Sequence, residues 1–331
     1  MKRVTKLASL LLAASLSLLT CLPAKADTPL RIGFSDWPGW TGWQIAIDKG
    51  WFKDAGVDVN MQWFDYSASL DAFSAGKLDG DFVATSDALA EGANGAKNEL
   101  IMLTDYSDGN DQILAKPGIT SIKQLQGQKV GIEVGLLEQM LLEHALTANG
   151  MALSSVQLVN TVTNNTPQVL ASGSVAAIGV WQPIADQARL ALPGSRAIYT
   201  SAQAPGLIYD GLIVSPQSLA EHPQEWAKVI KVWYRIEAYI NDPKTHADAL
   251  KIMSARDGVT PKIYQRYVKG THLLSLTEAK AAFVPGTGLS SIYGSDANAD
   301  AFNVRNGVYK TPQDIKQYIN SSLMDSYKES N

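Results

Sequence analysis

Cysteine is almost absent from this sequence: Cys21 is its single cysteine in 331 residues. It lies in a leader, residues 1–26, with a basic start, an apolar run too short to span a membrane and a small-x-small cleavage triplet. Cleavage after Ala26 would leave a mature chain without thiols, which excludes disulfide bonds and thiol catalysis. We therefore expect export to the periplasm; Thr20 before Cys21 fits a lipid-attachment motif poorly.

Motifs typical of enzymes are missing as well. The chain has four histidines, none of them paired at the spacing of a helical metal site: His144, His222, His246 and His272. It also lacks the Gly-x-Ser-x-Gly turn of serine hydrolases and the Gly-rich loops that hold phosphates. The sequence therefore predicts no enzymatic activity, no metal and no cofactor.

Basic residues are outnumbered by acidic ones. The leader carries four of the 28 Lys and Arg, so the mature chain has 24 against 32 Asp and Glu, a net charge of −8. This charge disfavours nucleic acid and anionic membranes as partners. No segment after the leader is long and apolar enough to span a bilayer. The 305 residues that follow a 26-residue leader suit two domains with their own cores.

What the chain does contain is an alternation of short apolar runs with helical segments. The predicted strands are Leu30–Phe34, Val57–Trp63, Gly80–Ala84, Glu99–Thr104, Gln128–Glu133, Val156–Val159, Ala176–Val180 and Ala197–Thr200. This alternation is typical of α/β folds, with mostly parallel sheets covered by helices on both faces. The extended runs 112–115 and 207–214 look like two crossings of a hinge. Lobe 1 would then contain residues 27–112 and 216–331, and lobe 2 residues 113–215.

Beyond residue 215 the pattern is helical. Leu219–Asn241 reads as one long helix, and shorter helices are predicted at 243–254, 261–267 and 277–282. The tail Thr311–Ser326 opens with the helix start signal Thr-Pro-x-Asp, so we expect a final helix there.

One stretch combines a carboxylate with three indoles: residues 36–43 read Asp-Trp-Pro-Gly-Trp-Thr-Gly-Trp. It follows the first predicted strand, and open α/β sheets bind ligands at the carboxyl ends of their strands. Indole faces attract cations, and a carboxylate holds cations by charge and hydrogen bonds. Each tryptophan alone could be a packing residue, but three of them beside Asp36 favour a ligand site.

The other loops at this edge of the predicted sheets are acidic too, and none contains Lys or Arg. Carboxylates crowded around an anion would repel it, so a small cation or a neutral molecule rich in N–H donors is favoured. The predicted ligand-binding residues are Asp36, Trp37, Trp40, Asp65, Ser86, Asp87, Asp105, Asp108, Glu133, Trp181 and Asp210. Asp36, Asp87 and Glu133 could instead cap helices, and Asp210 could stabilise the hinge.

Several motifs carry a resemblance to a known family. Ile32-Gly33-Phe34 followed by residues 50–59 resembles the opening of exported binding proteins of the nitrate/taurine/aliphatic-sulfonate type, which serve ABC importers. Residues 75–80, 122–131 and 180–183 are similar to their second signature, the start of their second lobe and its ligand loop. The resemblance implies a type II-like periplasmic binding protein with two α/β lobes and a two-crossing hinge. It also implies a small-molecule ligand, a membrane permease and its ATPase as partners, and no catalysis; we expect a monomer.

The opening at residues 36–40 and the run Gln62–Tyr66 most resemble a subgroup associated with urea- or guanidine-carboxylase systems. This resemblance favours guanidinium, a flat permanent cation that forks onto carboxylates. Urea comes second, because its oxygen also needs donors. Two alternatives stay open: a binding protein for taurine, sulfonate or nitrate-type anions, and an exported thiamine-precursor-type binding protein or enzyme.

Overall fold

The computed structural model describes residues 28–327, so the predicted leader, residues 1–26, lies outside the described residues. The strands are β1 (Leu30–Phe34), β2 (Val59–Trp63), β3 (Gly80–Ala84), β4 (Glu99–Ser107), β5 (Gln112–Ala115), β6 (Lys129–Ile132), β7 (Gln157–Asn160), β8 (Ala177–Val180), β9 (Arg196–Thr200), β10 (Tyr209–Val214) and β11 (Thr271–Leu273). The helices are α1 (Trp43–Lys49), α2 (Trp51–Ala55), α3 (Tyr66–Ser74), α4 (Thr85–Ala93), α5 (Leu137–Ala148), α6 (Thr166–Ala171), α7 (Ile184–Ala191), α8 (Pro216–Glu221), α9 (Pro223–Asn241), α10 (His246–Arg256), α11 (Pro261–Lys269), α12 (Leu276–Ala282), α13 (Ile292–Arg305) and α14 (Ser322–Ser326). Within residues 28–327, no helix has the length and apolar character needed to cross a membrane.

The strands form two sheets. The larger has the order β11-β4-β10-β3-β1-β2, and the smaller has the order β7-β6-β8-β5-β9. β1 pairs in parallel with β2 and β3, whereas β10 is antiparallel to both β3 and β4. In the smaller sheet β6 is parallel to β7 and β8, and β5 is antiparallel to β8 and β9. The predicted α/β class is confirmed, but both sheets are mixed, because a strand that arrives from the other sheet runs against its neighbours.

Each sheet with its helices forms one lobe. We call the six-stranded sheet with α1–α4 and α8–α14 the larger lobe, and the five-stranded sheet with α5–α7 the smaller lobe. The chain changes sheet between β4 and β5 and again between β9 and β10. The second change therefore lies before the expected boundary at residue 215, because β10 completes the larger sheet by pairing with β3 and β4.

The helical part differs from the expected pattern at two places. The long segment 219–241 is divided, since α8 ends before Pro223 and α9 begins with that proline. The tail forms the short helix α14 instead of a helix over 311–326. The backbone there bonds to β4: the amide of Leu100 donates to the carbonyl of Tyr318 (2.7 Å), and that of Asn320 donates to the carbonyl of Leu100 (2.9 Å). These bonds to the sheet replace the bonds of a helix.

The core of the larger lobe fixes the turn that follows β1. Trp43 is fully buried at the start of α1, with ring centroids 5.1 Å from Phe82 of β3 and 5.2 Å from Trp233 of α9. Burying one such indole stabilises the fold by about 2 kcal/mol or more. Trp43 is therefore a packing residue, and it holds residues 35–42 at the carboxyl edge of β1.

Candidate ligand-binding site

A small cavity lies between the two lobes at this edge. The centre of a water molecule can occupy about 10 Å³ of it, which is room for about one water molecule in this closed arrangement. Four aromatic rings and two carboxyl groups stand among its lining residues, which are Ser35, Trp37, Trp40, Tyr66, Asp111, Leu137, Trp181, Ile208 and Asp210. None of these described lining residues is Lys or Arg. The lining is therefore aromatic and acidic.

Several polar atoms that line the cavity are buried without a partner. Oδ2 of Asp111, Oδ2 of Asp210 and Oγ of Ser35 accept or donate no hydrogen bond within residues 28–327, and neither does Nε1 of Trp40. Buried polar groups are nearly always paired, because an unpaired one costs about 1–3 kcal/mol. Two carboxylate oxygens in this condition therefore belong to residues that line one small cavity.

Three of the predicted acids hold the aromatic rings of the cavity in place. Nε1 of Trp181 donates to Oδ1 of Asp36 (3.1 Å), and this bond joins the two lobes. Nε1 of Trp37 donates to Oδ1 of Asp105 at 2.9 Å. The third pair joins the hydroxyl of Tyr66 to Oδ2 of Asp87 at 2.8 Å, and Ser86 donates to the other oxygen of that carboxylate (3.2 Å). These acids orient the rings, whereas Asp111 and Asp210 face the ligand space.

Gly39 permits the bond between Trp37 and Asp105. A Cβ at this position would lie 2.2 Å from Oδ2 of Asp105 and 2.5 Å from Nε1 of Trp37. No real Cβ makes contacts this short, so any side chain would push the indole and the carboxylate apart. The glycine after Trp-Pro is therefore required by the close approach of the backbone.

Asp105 and Asp210 stand opposite each other on β4 and β10, and their buried carboxyl groups interact. Two such groups side by side favour a proton on one of them. Asp105 already accepts from Trp37 and from the hydroxyl of Thr104 (2.8 Å), which favours its ionised form. Burial raises the pKa of Asp105 to about 6, while burial and the charge of Asp105 raise the pKa of Asp210 well above its usual range. Asp210 therefore carries the shared proton.

Asp111 and Glu138 add two more buried acids beside this pair. Burial raises the pKa of Asp111 to about 7, and the charge of Asp105 adds to the effect. Glu138 on α5 is fully buried, and neither of its carboxyl oxygens has a partner among the described residues. Burial first, and then the charge of Asp111, raise its pKa well above the usual range. Glu138 is accordingly neutral near pH 7, and Asp111 titrates there.

The remaining predicted site residues lie around the cavity and do not line it. Glu133 is buried and accepts from the hydroxyl of Thr163 at 2.8 Å. Asp65 is exposed at the rim, where the amide of Asn164 in the smaller lobe donates to it at 2.6 Å. Asp108 is half-buried after β4, and its amide donates to the carbonyl of Gly270 (2.9 Å). Their direct contact with a ligand stays a prediction.

The lobes are closed over the cavity. Besides the bond of Trp181 to Asp36, two carboxylates of the smaller lobe bind the larger one. Asp186 on α7 accepts from Arg266 (2.9 Å) and from the hydroxyl of Tyr267 (3.0 Å). Glu143 on α5 accepts from Arg305 and from the amide of Asn306, both at 2.6 Å. The cavity is thus the closed form of a cleft between the lobes.

Asp111 and Glu138 were not among the predicted ligand-binding residues, although the sequence places both in segments expected at the cleft. The run Asp105-Tyr-Ser-Asp-Gly-Asn-Asp111 contains three acids, and their spacing alone does not show which of them is buried beside the cavity. One feature of the sequence indicates the position of Asp111: it directly precedes the crossing strand β5, which places it at the hinge between the lobes.

Within residues 28–327, no group of three or more His, Cys, Asp or Glu is arranged to hold a metal ion.

Comparison with known proteins agrees with this architecture. The alkanesulfonate-binding protein SsuA of Xanthomonas axonopodis pv. citri, solved with bound MOPS, matches 89% of this chain and 98% of its own, with a TM-score of 0.73 at 15% identity. The ligand-binding component of an ABC-type import system from Staphylococcus aureus, solved with zinc, matches 92% of this chain and 100% of its own, with a TM-score of 0.75 at 12% identity. At such identities the two structures show the fold alone, which is that of periplasmic binding proteins.

Sequence comparison identifies the family. A protein of Brucella abortus (strain 2308), named as a candidate binding protein, is 28% identical over 228 residues, which is 67% of this chain and 70% of that protein. The expected subgroup associated with urea and guanidine is not tested by these relatives. The family model described as NMT1/THI5 like matches residues 37–246, more than half of the chain. The chain therefore belongs to the NMT1/THI5-like family.

Proposed function

We propose that this protein is the solute-binding component of an ABC importer in the periplasm, and that its ligand is a small, planar, nitrogen-rich cation. Guanidinium is the first candidate, and urea is the second. A membrane permease and its ATPase would accept the ligand from the closed form. The name of the Brucella relative and the import system of the Staphylococcus aureus structure support the class of function.

The pair of unpartnered carboxyl oxygens on Asp111 and Asp210 carries the proposal for the ligand. Both residues line a cavity walled by Trp37, Trp40 and Trp181. A guanidinium ion has donors on every edge and flat faces that stack on indoles. Its edges would donate to the two carboxyl oxygens, while its faces would lie against the rings.

Closure follows from the position of Trp181. Its indole stands on the smaller lobe, bonds to Asp36 of the larger lobe and meets Tyr66 edge-on, with centroids 5.5 Å apart and planes at 82°. A form with the lobes apart would lack these contacts, so a ligand that binds between the lobes would shift the population toward the closed form.

Anions are less suited to this cavity. Sulfonate and nitrate oxygens need donors, and an anion near ionised Asp105 would meet like charge in a dry site. Backbone amides could serve as donors, but they would have to outweigh that repulsion.

Calorimetric titration of the purified, ligand-free protein tests the proposal. Guanidinium chloride, urea, taurine and sodium nitrate are titrated separately at pH 8 in millimolar ranges, far below denaturing concentrations. We expect saturable heat with guanidinium, weaker or no heat with urea, and none with the two anions. Sodium chloride controls for chloride. Tight binding of taurine or nitrate without a guanidinium signal would contradict the cation site.

A further inference from the structure

We propose that the site takes up a permanent cation in exchange for a proton, and that the side chain of Asp111 is the group that gives up that proton. This inference rests on the proposed function and deepens it, because it separates a charged ligand from a neutral one of the same shape. It concerns the charge balance of the closed cavity.

The geometry around Asp111 is a cluster of buried acids. Asp111 and Asp210 line the same cavity, Asp210 pairs with Asp105 across β10 and β4, and Glu138 on α5 is fully buried. The charges of Glu133 after β6 and Asp87 on α4 also act on this cluster, and His272 of β11 is a basic group whose charge favours ionised Asp105. The cluster therefore holds more carboxyl groups than its surroundings can neutralise.

Asp105 is the acid of this cluster whose ionised form is already stabilised by hydrogen-bond donors. Asp105 accepts from Trp37 and Thr104. Asp111 has fewer donors: the hydroxyl of Ser107 favours its ionised form, but the residue is 2% exposed and its Oδ2 has no partner within the described residues. A second bare carboxylate beside Asp105 is costly in a dry cavity. The empty closed site therefore retains a proton on Asp111 near neutral pH, where its pKa is about 7.

A guanidinium ion at Oδ2 of Asp111 changes that balance. It offers N–H donors and a positive charge, both of which favour the ionised carboxylate. The O–H bond of the Asp111 carboxyl group breaks, its electron pair stays on the oxygen as negative charge, and the proton passes to the solvent. One positive charge enters as one leaves, so the site keeps its net charge. Urea brings no charge and leaves the proton in place.

Proton counting by calorimetry measures the exchange. Guanidinium chloride is titrated at pH 6 and pH 8 in buffers of different ionisation enthalpy, with urea as the matched neutral ligand. For a group with a pKa of about 7, we expect release of about 0.9 proton at pH 6 and about 0.1 at pH 8. The apparent Kd should be about tenfold weaker at pH 6, because a smaller fraction of the protein is already ionised at Asp111. Urea should release no proton.

Two variants assign the effect. Asp111→Asn should abolish both the proton release and the pH dependence of the Kd, whereas the exposed Asp58→Asn, which also removes one carboxylate, should behave as wild type. The wild-type proton count does not depend on either variant folding. Guanidinium binding without proton release at pH 6 would overturn the exchange while leaving the proposed function intact. Absence of guanidinium binding at both pH values would contradict guanidinium as the ligand, and the exchange with it; absence of urea binding as well would contradict the proposed ligand class.

Discussion

Replacement of Trp181 by Phe removes the indole N–H that joins the smaller lobe to Asp36. The bond is 3.1 Å long and reaches a carboxyl group whose pKa burial raises to about 6, so at pH 8 the acceptor is ionised. Because the two residues stand on different lobes, the open form cannot make this bond. Its loss should therefore weaken ligand capture through the closing equilibrium.

The expected size follows from the kind of bond. A hydrogen bond to a charged group contributes about 1.5–3 kcal/mol, which corresponds to a Kd about 10- to 150-fold weaker. The smaller ring also gives up contact with Tyr66, which adds to the loss. Asp36→Asn should have a smaller effect than Trp181→Phe, since an asparagine oxygen still accepts from the indole.

The assay is calorimetric titration of guanidinium at pH 8 on a double-mutant cycle of Trp181→Phe and Asp36→Asn. If the bond accounts for the loss, the double variant should be less impaired than the sum of the single ones. Trp51→Phe is the matched control: its ring packs on Arg235 and Tyr239 of the larger lobe, away from the cleft, and should leave the Kd unchanged. A Trp181→Phe protein that binds within twofold of wild type, or additive single effects, would refute this role.

Three further outcomes are expected. Asp111→Asn should weaken guanidinium binding at pH 8 by about 10- to 150-fold, because it removes an ionised acceptor. Asp210→Asn should weaken it less, because the carboxyl group of Asp210 already carries a proton. Equal losses for the two variants in calorimetric titration would contradict this assignment. Gly39→Ala should displace Trp37 and lower affinity with the fold retained, to be checked by titration beside circular dichroism; wild-type affinity would show that the turn can move. Acids with a raised pKa, such as the partly buried Asp257 at about 8, should make the ligand-free protein less stable as pH rises. This contribution is complete below about pH 4 and is lost between pH 4 and pH 8, at up to about 1.4 kcal/mol per pH unit. Thermal unfolding at pH 5 and pH 8 checks it, and greater stability at pH 8 would contradict it.

The parts of the fold that follow periodic patterns could be predicted from the sequence. β1, β3 and β9 occur at or within one residue of the expected positions, because short apolar runs between helical segments leave few alternatives. Helix α13 was not expected: its sequence is rich in Gly, Ser, Asp and Asn and has no apolar stripe. It forms because it packs on α4: Asp296 of α13 is buried in that contact and accepts a hydrogen bond from the hydroxyl of Thr85 of α4 at 2.7 Å.

The site was predictable in composition more than in detail. Aromatic and acidic residues after strands indicated a cation-binding cleft, and Trp37, Trp40, Trp181 and Asp210 line the cavity. Some of these acids accept a hydrogen bond from an aromatic side chain and others do not. Which acid has such a donor beside it depends on contacts between segments that are distant in the sequence. Residue spacing cannot show that Asp36 of one lobe accepts from an indole of the other.

A crystal structure of the protein grown with guanidinium chloride tests the central claim most directly. We expect a planar ligand between the rings of Trp37, Trp40 and Trp181, with nitrogen atoms about 2.7–3.0 Å from Oδ2 of both Asp111 and Asp210. An anion in the cavity, or carboxyl groups of these two residues turned away from the ligand, would contradict the account.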